Sequence, residues 1–294
     1  MRLTRICVGA LAVMSAWAGP VVAEEQSAAS GVRVLRDLPY VEGGHEQQRL
    51  DLYLPAKAEG LRPLVVWVHG GGWEAGRKED SPAQWLVGKG YVVASINYRL
   101  SQHAVFPAQI QDCKAAIRWL RANAAKYHFD PNRVGVAGDS AGGHLVALLG
   151  TTGGVKELEG NLGNPEQSSR VQAVVDFYGP TDFVSWDPHF SNYAYAVITR
   201  LIGGPPHENK EKARKASSVA YVNKDSAPFL ILHGDKDGIV PLAQSQELAE
   251  ALKKAGVEVD LQVIKGSGHG GPAFLSPENR KLIDEFFAKH LGKG

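Results

Sequence analysis

Cysteine is nearly absent: Cys7 and Cys113 are the only two in 294 residues. Cys7 falls in an N-terminal segment that reads as an export signal, so the remaining chain has no partner for an internal disulfide. The fold must therefore rest on its core. An excess of charge is missing as well, since 32 Lys and Arg against 31 Asp and Glu leave a net charge of +1. That balance excludes an electrostatic footprint for nucleic acid. The one basic cluster, residues 210–215, is interleaved with Glu211 and Ala213 and reads as a solvated helix face. Beyond the N-terminus no apolar run is long enough to cross a bilayer, so no stable membrane insertion of the mature chain is expected. Internal repeats, low-complexity tracts and dividing linkers are missing. No group of side chains has metal-ligand spacing, and no metal is expected.

What is present begins with the signal. Arg2 and Arg5 form a short positive region, residues 6–17 supply an apolar stretch, and Val21 and Ala23 place small side chains before Glu24. This pattern predicts a signal peptide over residues 1–23 and a secreted or periplasmic mature chain, residues 24–294. With 44% hydrophobic and 21% charged residues, that chain can bury a sizeable core as one large domain.

Residues 49–54 alternate polar and apolar, as in a strand with one solvated face. Residues 64–68, 91–96, 133–137, 171–177, 229–232 and 257–264 are short apolar runs rich in Val and Ile, which predicts buried strands of a mostly parallel sheet. Helical patterns lie between them: one begins at Pro107, and others cover residues 141–149, 242–255 and 277–291. Strand–helix alternation over this length predicts an α/β domain with helices on both faces of the sheet. Only residues 180–226 break the rhythm. They show no clear strand and carry Gly203, Gly204, Pro205 and Pro206, so a small cap over the site is expected there.

Four loops carry chemistry. Gly138-Asp139-Ser140-Ala141-Gly142 matches G-x-S-x-G between a strand and a helix, the setting of a sharp turn that exposes a serine hydroxyl. His69-Gly70-Gly71-Gly72-Trp73 follows the strand at 64–68. Its glycines leave backbone N–H groups unblocked for an oxyanion. His69 reads as a brace for this loop. Asp235 and Asp237 follow the strand at 229–232, and His269 lies in a Gly-rich loop after the last strand. The order Ser140, Asp237, His269 is that expected of an α/β-hydrolase. Asp237 is preferred over Asp235 because it stands farther into the loop that must reach His269. Among the rival histidines His103, His128, His144, His207 and His233, His144 reads as a packing or hydrogen-bonding residue one helical turn beyond the serine.

Together with Asn97-Tyr98-Arg99-Leu100, Phe106-Pro107-Ala108 and Gly179-Pro180-Thr181-Asp182, these motifs resemble the esterases related to hormone-sensitive lipase. The resemblance is closest to their bacterial feruloyl and acetylxylan esterase-like branch, and runs from about Arg49 to His290. It implies an α/β-hydrolase fold, no cofactor, and hydrolysis of carboxylic esters through an acyl-enzyme. It also implies Ser140, Asp237 and His269 as triad, with the amides of Gly71, Gly72 and Ala141 as oxyanion hole. Trp73 departs from the Phe or Tyr common after the glycines and is similar to kynurenine formamidases, which keeps an amidase or peptidase reading open. A non-catalytic binder is disfavoured because no triad or oxyanion position is missing. Trp73 and Trp186 are expected to contact substrate, with Phe190, Tyr193 and Tyr195 adding to an aromatic wall. The expected substrate is a small-molecule ester or an ester linked to polysaccharide.

Overall fold

The computed structural model describes residues 24–27, 31–56 and 60–292, so the expected signal at 1–23 lies outside the described residues. Nine strands make one sheet: β1 (Glu24–Ser27), β2 (Val32–Pro39), β3 (Arg49–Pro55), β4 (Arg62–Val68), β5 (Val92–Ile96), β6 (Phe129–Asp139), β7 (Ala173–Phe177), β8 (Phe229–Gly234) and β9 (Val259–Ile264). Their order is β1-β2-β3-β5-β4-β6-β7-β8-β9. Neighbours from β5 to β9 run parallel, while β1, β2 and β3 join antiparallel on one side.

The interior strands are apolar because both of their faces are covered. Alternation sorts their side chains: Val66, Val136, Val174 and Ile231 enter one core layer, while Val65, Ala137, Val175 and Leu232 enter the other. Among the described residues eight α-helices accompany the strands: α1 (Ala108–Ala122), α2 (Ala124–Tyr127), α3 (Ala141–Thr151), α4 (Lys156–Glu159), α5 (Asn192–Ile202), α6 (Lys210–Ala216), α7 (Leu242–Lys254) and α8 (Pro277–Leu291). The first layer holds Ile117 of α1, Leu145 of α3 and Leu248 of α7. The second holds Ile283 and Phe287 of α8 together with Leu86 and Tyr91. Cys113 is a buried free thiol on α1.

Three expectations need correction. Strand β2 is an addition; its charged Arg33, Arg36 and Asp37 hide a half-buried strand from an apolar pattern. Strand β3 has no solvated face, since Asp51 is fully buried and receives hydrogen bonds from Arg36 and the Asp37 amide and an ion pair from Lys78. Strand β9 is a half-exposed edge rather than a buried strand, because no other strand among the described residues pairs with its outer side.

Residues 180–226 contain α5 and α6 and no strand. Ala194, Val197, Ile198, Leu201 and Ile202 form the buried stripe of α5, the spacing that puts apolar side chains on one helical face. Ser191 caps its start by accepting from the Ala194 amide, worth about 1 kcal/mol. Gly203 ends it at φ 72°, a conformation glycine adopts without steric cost.

The chain leaves β4 toward β5 on one side and returns to β6 on the other. Such a reversal leaves a crevice at the carboxyl ends of the two strands. The glycine-rich loop follows β4 there, and the G-x-S-x-G turn follows β6.

Candidate active site

Ser140 links β6 to α3 at φ 53°, ψ −114°, a strained conformation for a residue with a Cβ. Its amide donates to Phe177 O at 2.9 Å, and its carbonyl accepts from His144 N. The flanking glycines are sterically required. A Cβ on Gly138 would lie 2.6 Å from Gly142 O, and one on Gly142 would lie 2.0 Å from Val68 O.

His269 joins the serine to Asp237. Ser140 Oγ lies 2.8 Å from Nε2, and Nδ1 lies 2.7 Å from Asp237 Oδ2. With Nδ1–H donating to the carboxylate, Nε2 is left to accept the serine proton. Asp237 Oδ1 accepts the amides of Ile239 and Val240. His233 directs Nε2 at Val240 O and, at 3.4 Å, at Asp237 Oδ2, while its Nδ1 faces the Ser245 hydroxyl. Burial pushes the Asp237 carboxyl up, but hydrogen bonds from His233 and His269 outweigh it and hold the group well below the usual carboxylate range. Asp235 stands apart, exposed, with Oδ1 accepting from Gly266 N.

The other histidines serve the frame. His144 is fully buried; it accepts from Trp73 Nε1 and donates to Ala216 O. His69 stacks on Tyr98 at 4.5 Å and donates Nδ1–H to Gly70 O. Burial lowers both rings to a pKa of about 4. His103 accepts from Leu100 N, and His207 meets the Tyr195 hydroxyl. His128 ends α2 at φ 57°.

Gly71 and Gly72 adopt φ 102° and 60°. A Cβ on Gly71 would meet Ala75 O at 2.4 Å, and one on Gly72 would meet the Tyr193 hydroxyl at 2.9 Å. Among the described residues the amides of Gly71, Gly72 and Ala141 have no acceptor. The loop is tied to the serine turn by Gly70 N, which donates to Asp139 Oδ1.

The two tryptophans expected to contact substrate do not offer it a face. Trp73 is 2% exposed and Trp186 is 6% exposed. Trp73 packs edge-on to His144 and Phe183, and Phe183 in turn packs on Trp186. They join the 180–226 segment to the body, where large rings bury more area than at a rim. Of the expected wall, Phe190 and Tyr193 are the exposed members, at 41% and 55%. Tyr195 is partly buried in the core.

Two residues that sequence reasoning missed stand beside the triad. Asp139 is visible only as the variable position of its motif, and Tyr178 has no local signal beyond preceding Gly179-Pro180. Both line a cavity of about 150 Å³ with Trp67, Phe177, Gly271 and Phe274. A larger cavity of about 620 Å³, around His45 and Trp119, contains none of Ser140, Asp237 and His269. Among the described residues no cluster of His, Cys, Asp or Glu is arranged to hold a metal, and no helix is long and apolar enough to cross a membrane.

Esterase LipQ of Mycobacterium tuberculosis is 34% identical over 87% of this chain and 61% of its own length. The chain thus spans about three fifths of that relative. A solved truncated carbohydrate esterase from gut microbiota superposes with a TM-score of 0.81 at 35% identity, covering 88% of this chain and 96% of that one. An acetyl ester-xyloside bifunctional hydrolase from Caldicellulosiruptor lactoaceticus gives a TM-score of 0.71 at 29% identity, over 84% and 89% of the two chains. The BD-FAE family model matches residues 50–252. With that match and these neighbours, the chain belongs to the BD-FAE family and has the α/β-hydrolase fold.

Proposed function

We propose that the protein is a serine carboxylesterase in which Ser140, His269 and Asp237 form the catalytic triad. The observation that carries this reading is the continuous hydrogen-bonded line from Ser140 Oγ through the His269 ring to Asp237, at 2.8 and 2.7 Å. Ser140 Oγ attacks the ester carbonyl carbon while its proton passes to His269 Nε2. The carbonyl oxygen becomes an oxyanion facing the amides of Gly71, Gly72 and Ala141. As the tetrahedral species collapses, His269 returns the proton to the departing alcohol and an acyl-serine remains. Water, deprotonated by the same imidazole, then releases the acid and restores the serine. Asp237 keeps Nδ1–H fixed and stabilises the imidazolium formed in each half.

The substrate class we propose is short-acyl esters, with acetylated or feruloylated polysaccharide as the natural target. The similarity to a solved carbohydrate esterase and an acetyl ester-xyloside bifunctional hydrolase supports it. So do the exposed rings of Phe190 and Tyr193, the latter with its hydroxyl beside Gly72, which suit a sugar face. The charged and polar stretch 207–218 supplies little shelter for a lipid chain. Residues 180–226 then act as a small cap. Export to the periplasm or medium, proposed from the pattern at residues 1–23, would expose the enzyme to such polymers. The test is a nitrophenyl ester series from acetate to palmitate, run beside acetylxylan, methyl ferulate and an N-formyl amide. A rate maximum at acetate to butyrate with turnover of either plant substrate is expected. A maximum at palmitate overturns the short-acyl assignment, and faster amide than ester cleavage overturns the esterase one.

A further inference from the structure

The end of β7 carries a second strained residue beside the serine turn. Tyr178 has φ 45°, and its amide donates to Leu232 O on β8 just as Ser140 N donates to Phe177 O on β7. The two hydrogen bonds form a staircase across the carboxyl ends of β6, β7 and β8. Tyr178 occupies the step between the strand that carries Ser140 and the strand that leads to Asp237. Its ring packs across His269 with centroids 4.8 Å apart at 61°, and is held from behind by Phe274 at 4.6 Å and 73°. The hydroxyl reaches the His269 loop, 3.2 Å from where a Cβ on Gly270 would stand. The side chain is 8% exposed. A β-carbon at positive φ is strained, and persists where surrounding structure over-determines it. A neighbouring glycine could not supply the ring, and Gly179 is itself confined: a Cβ there would lie 2.5 Å from the Gly143 backbone.

We infer that Tyr178 is a positioning residue for the proposed reaction, its ring fixing the plane of the His269 imidazole between Ser140 and Asp237. The inference rests on the reading of His269 as the general base. The imidazole is attached through a loop rich in glycine, Gly266 to Gly271, which by itself leaves the ring free to turn. Hydrogen bonds at Nδ1 and Nε2 define an axis through the ring but leave rotation about that axis open. An aromatic ring packed edge-on against it removes that freedom, and misplacement of a reacting group by about 1 Å can cost ~100-fold in rate.

The experiment compares Tyr178→Phe and Tyr178→Leu in steady-state hydrolysis of nitrophenyl acetate and in the low-field proton NMR signal of His269 Nδ1–H. Thermal melting checks that each variant folds. Phe should keep kcat within about threefold and retain the resonance. Leu should lower kcat about 10- to 100-fold with KM within twofold, and should broaden or lose the resonance. Tyr178→Met, which fills more of the same volume, takes its place should the leucine variant not fold. Wild-type kcat together with an intact resonance in the Leu or Met variant overturns the inference. A wild-type protein that turns over no ester overturns the proposed function instead, and the resonance in the variants then decides the Tyr178 contact alone.

Discussion

Gly70 and Asp139 are 69 positions apart, yet the Gly70 amide donates to Asp139 Oδ1 at 3.0 Å. The bond joins the loop that carries the oxyanion amides to the turn that carries the serine, and a Cβ on Gly70 would sit 2.6 Å from Asp139 Oδ2. Burial raises the Asp139 carboxyl, while the bond from Gly70 lowers it. Asp139→Ala should release the loop and lower kcat about 10- to 100-fold with little change in KM, because the misaligned amides act on the transition state. Asp139→Asn, which keeps an acceptor oxygen, should retain most of the rate. Equal losses in both variants would show that charge, and not the tether, is what matters.

Ser140→Ala should abolish ester hydrolysis, a loss on the order of 10⁴- to 10⁶-fold in kcat. Melting temperature should hold or rise, since alanine relieves none of the packing. A fluorophosphonate probe should label the wild type at Ser140 alone. Labelling elsewhere, or residual turnover of a few per cent, would move the nucleophile away from this serine.

The two carboxylates after β8 should separate cleanly. Asp237 faces His269 and His233, whereas Asp235 reaches only Gly266 N. Asp237→Asn should therefore cost about 10³- to 10⁴-fold in kcat. Asp235→Asn should cost less than about fivefold, the effect of loosening an exposed loop contact. The reverse ranking would assign the acid to Asp235.

Stability should depend on pH through groups outside the triad. His69 and His144 drop from 6.5 to about 4 on folding because they are buried. The unfolded chain therefore binds more protons between those values. The stability they contribute is full above about pH 6.5 and is lost as pH falls toward 4. Asp176 acts oppositely: burial lifts it from 3.8 to about 6, so its contribution is present below pH 3.8 and is lost as pH rises through 6. Its Oδ2 is buried with no hydrogen-bond partner among the described residues, and Oδ1 accepts from Gly179 N. Asp176→Asn should raise the melting temperature more at pH 8 than at pH 4, and His144→Gln should flatten the acid limb. Parallel melting curves for wild type and Asp176→Asn across pH 4–8 would remove Asp176 from the account.

The parts of the site that could be read from sequence are those imposed by local backbone geometry. Gly138, Gly142, Gly70 and Gly71 are glycines because a Cβ at each would stand within 3 Å of backbone or side-chain atoms, and that demand leaves a motif in the chain. The burial of Trp73 and Trp186 leaves none, because a ring's exposure depends on what α5, α6 and Phe183 bring over it. Strand β2 was hidden for a related reason. Its Arg36 serves Asp51, a buried carboxylate whose cation partners, Arg36 and Lys78, come from distant segments. Tyr178 shows the same limit in the backbone: its φ of 45°, held where its amide bonds Leu232 O on β8, leaves no mark in residue type.

The staircase across the strand ends also bears on how the molecule folds. Ser140 and His269 are 129 positions apart, and His269 and Asp237 are 32 apart. Helices such as α1 form from neighbours in sequence, but His269 meets Asp237 only once β8 and β9 pair, and meets Ser140 only once β6, β7, β8 and β9 lie side by side. Non-local parallel pairing is slow to form. Recovery of hydrolysis during refolding should accordingly lag the recovery of helical circular dichroism, which makes turnover a clock for sheet completion.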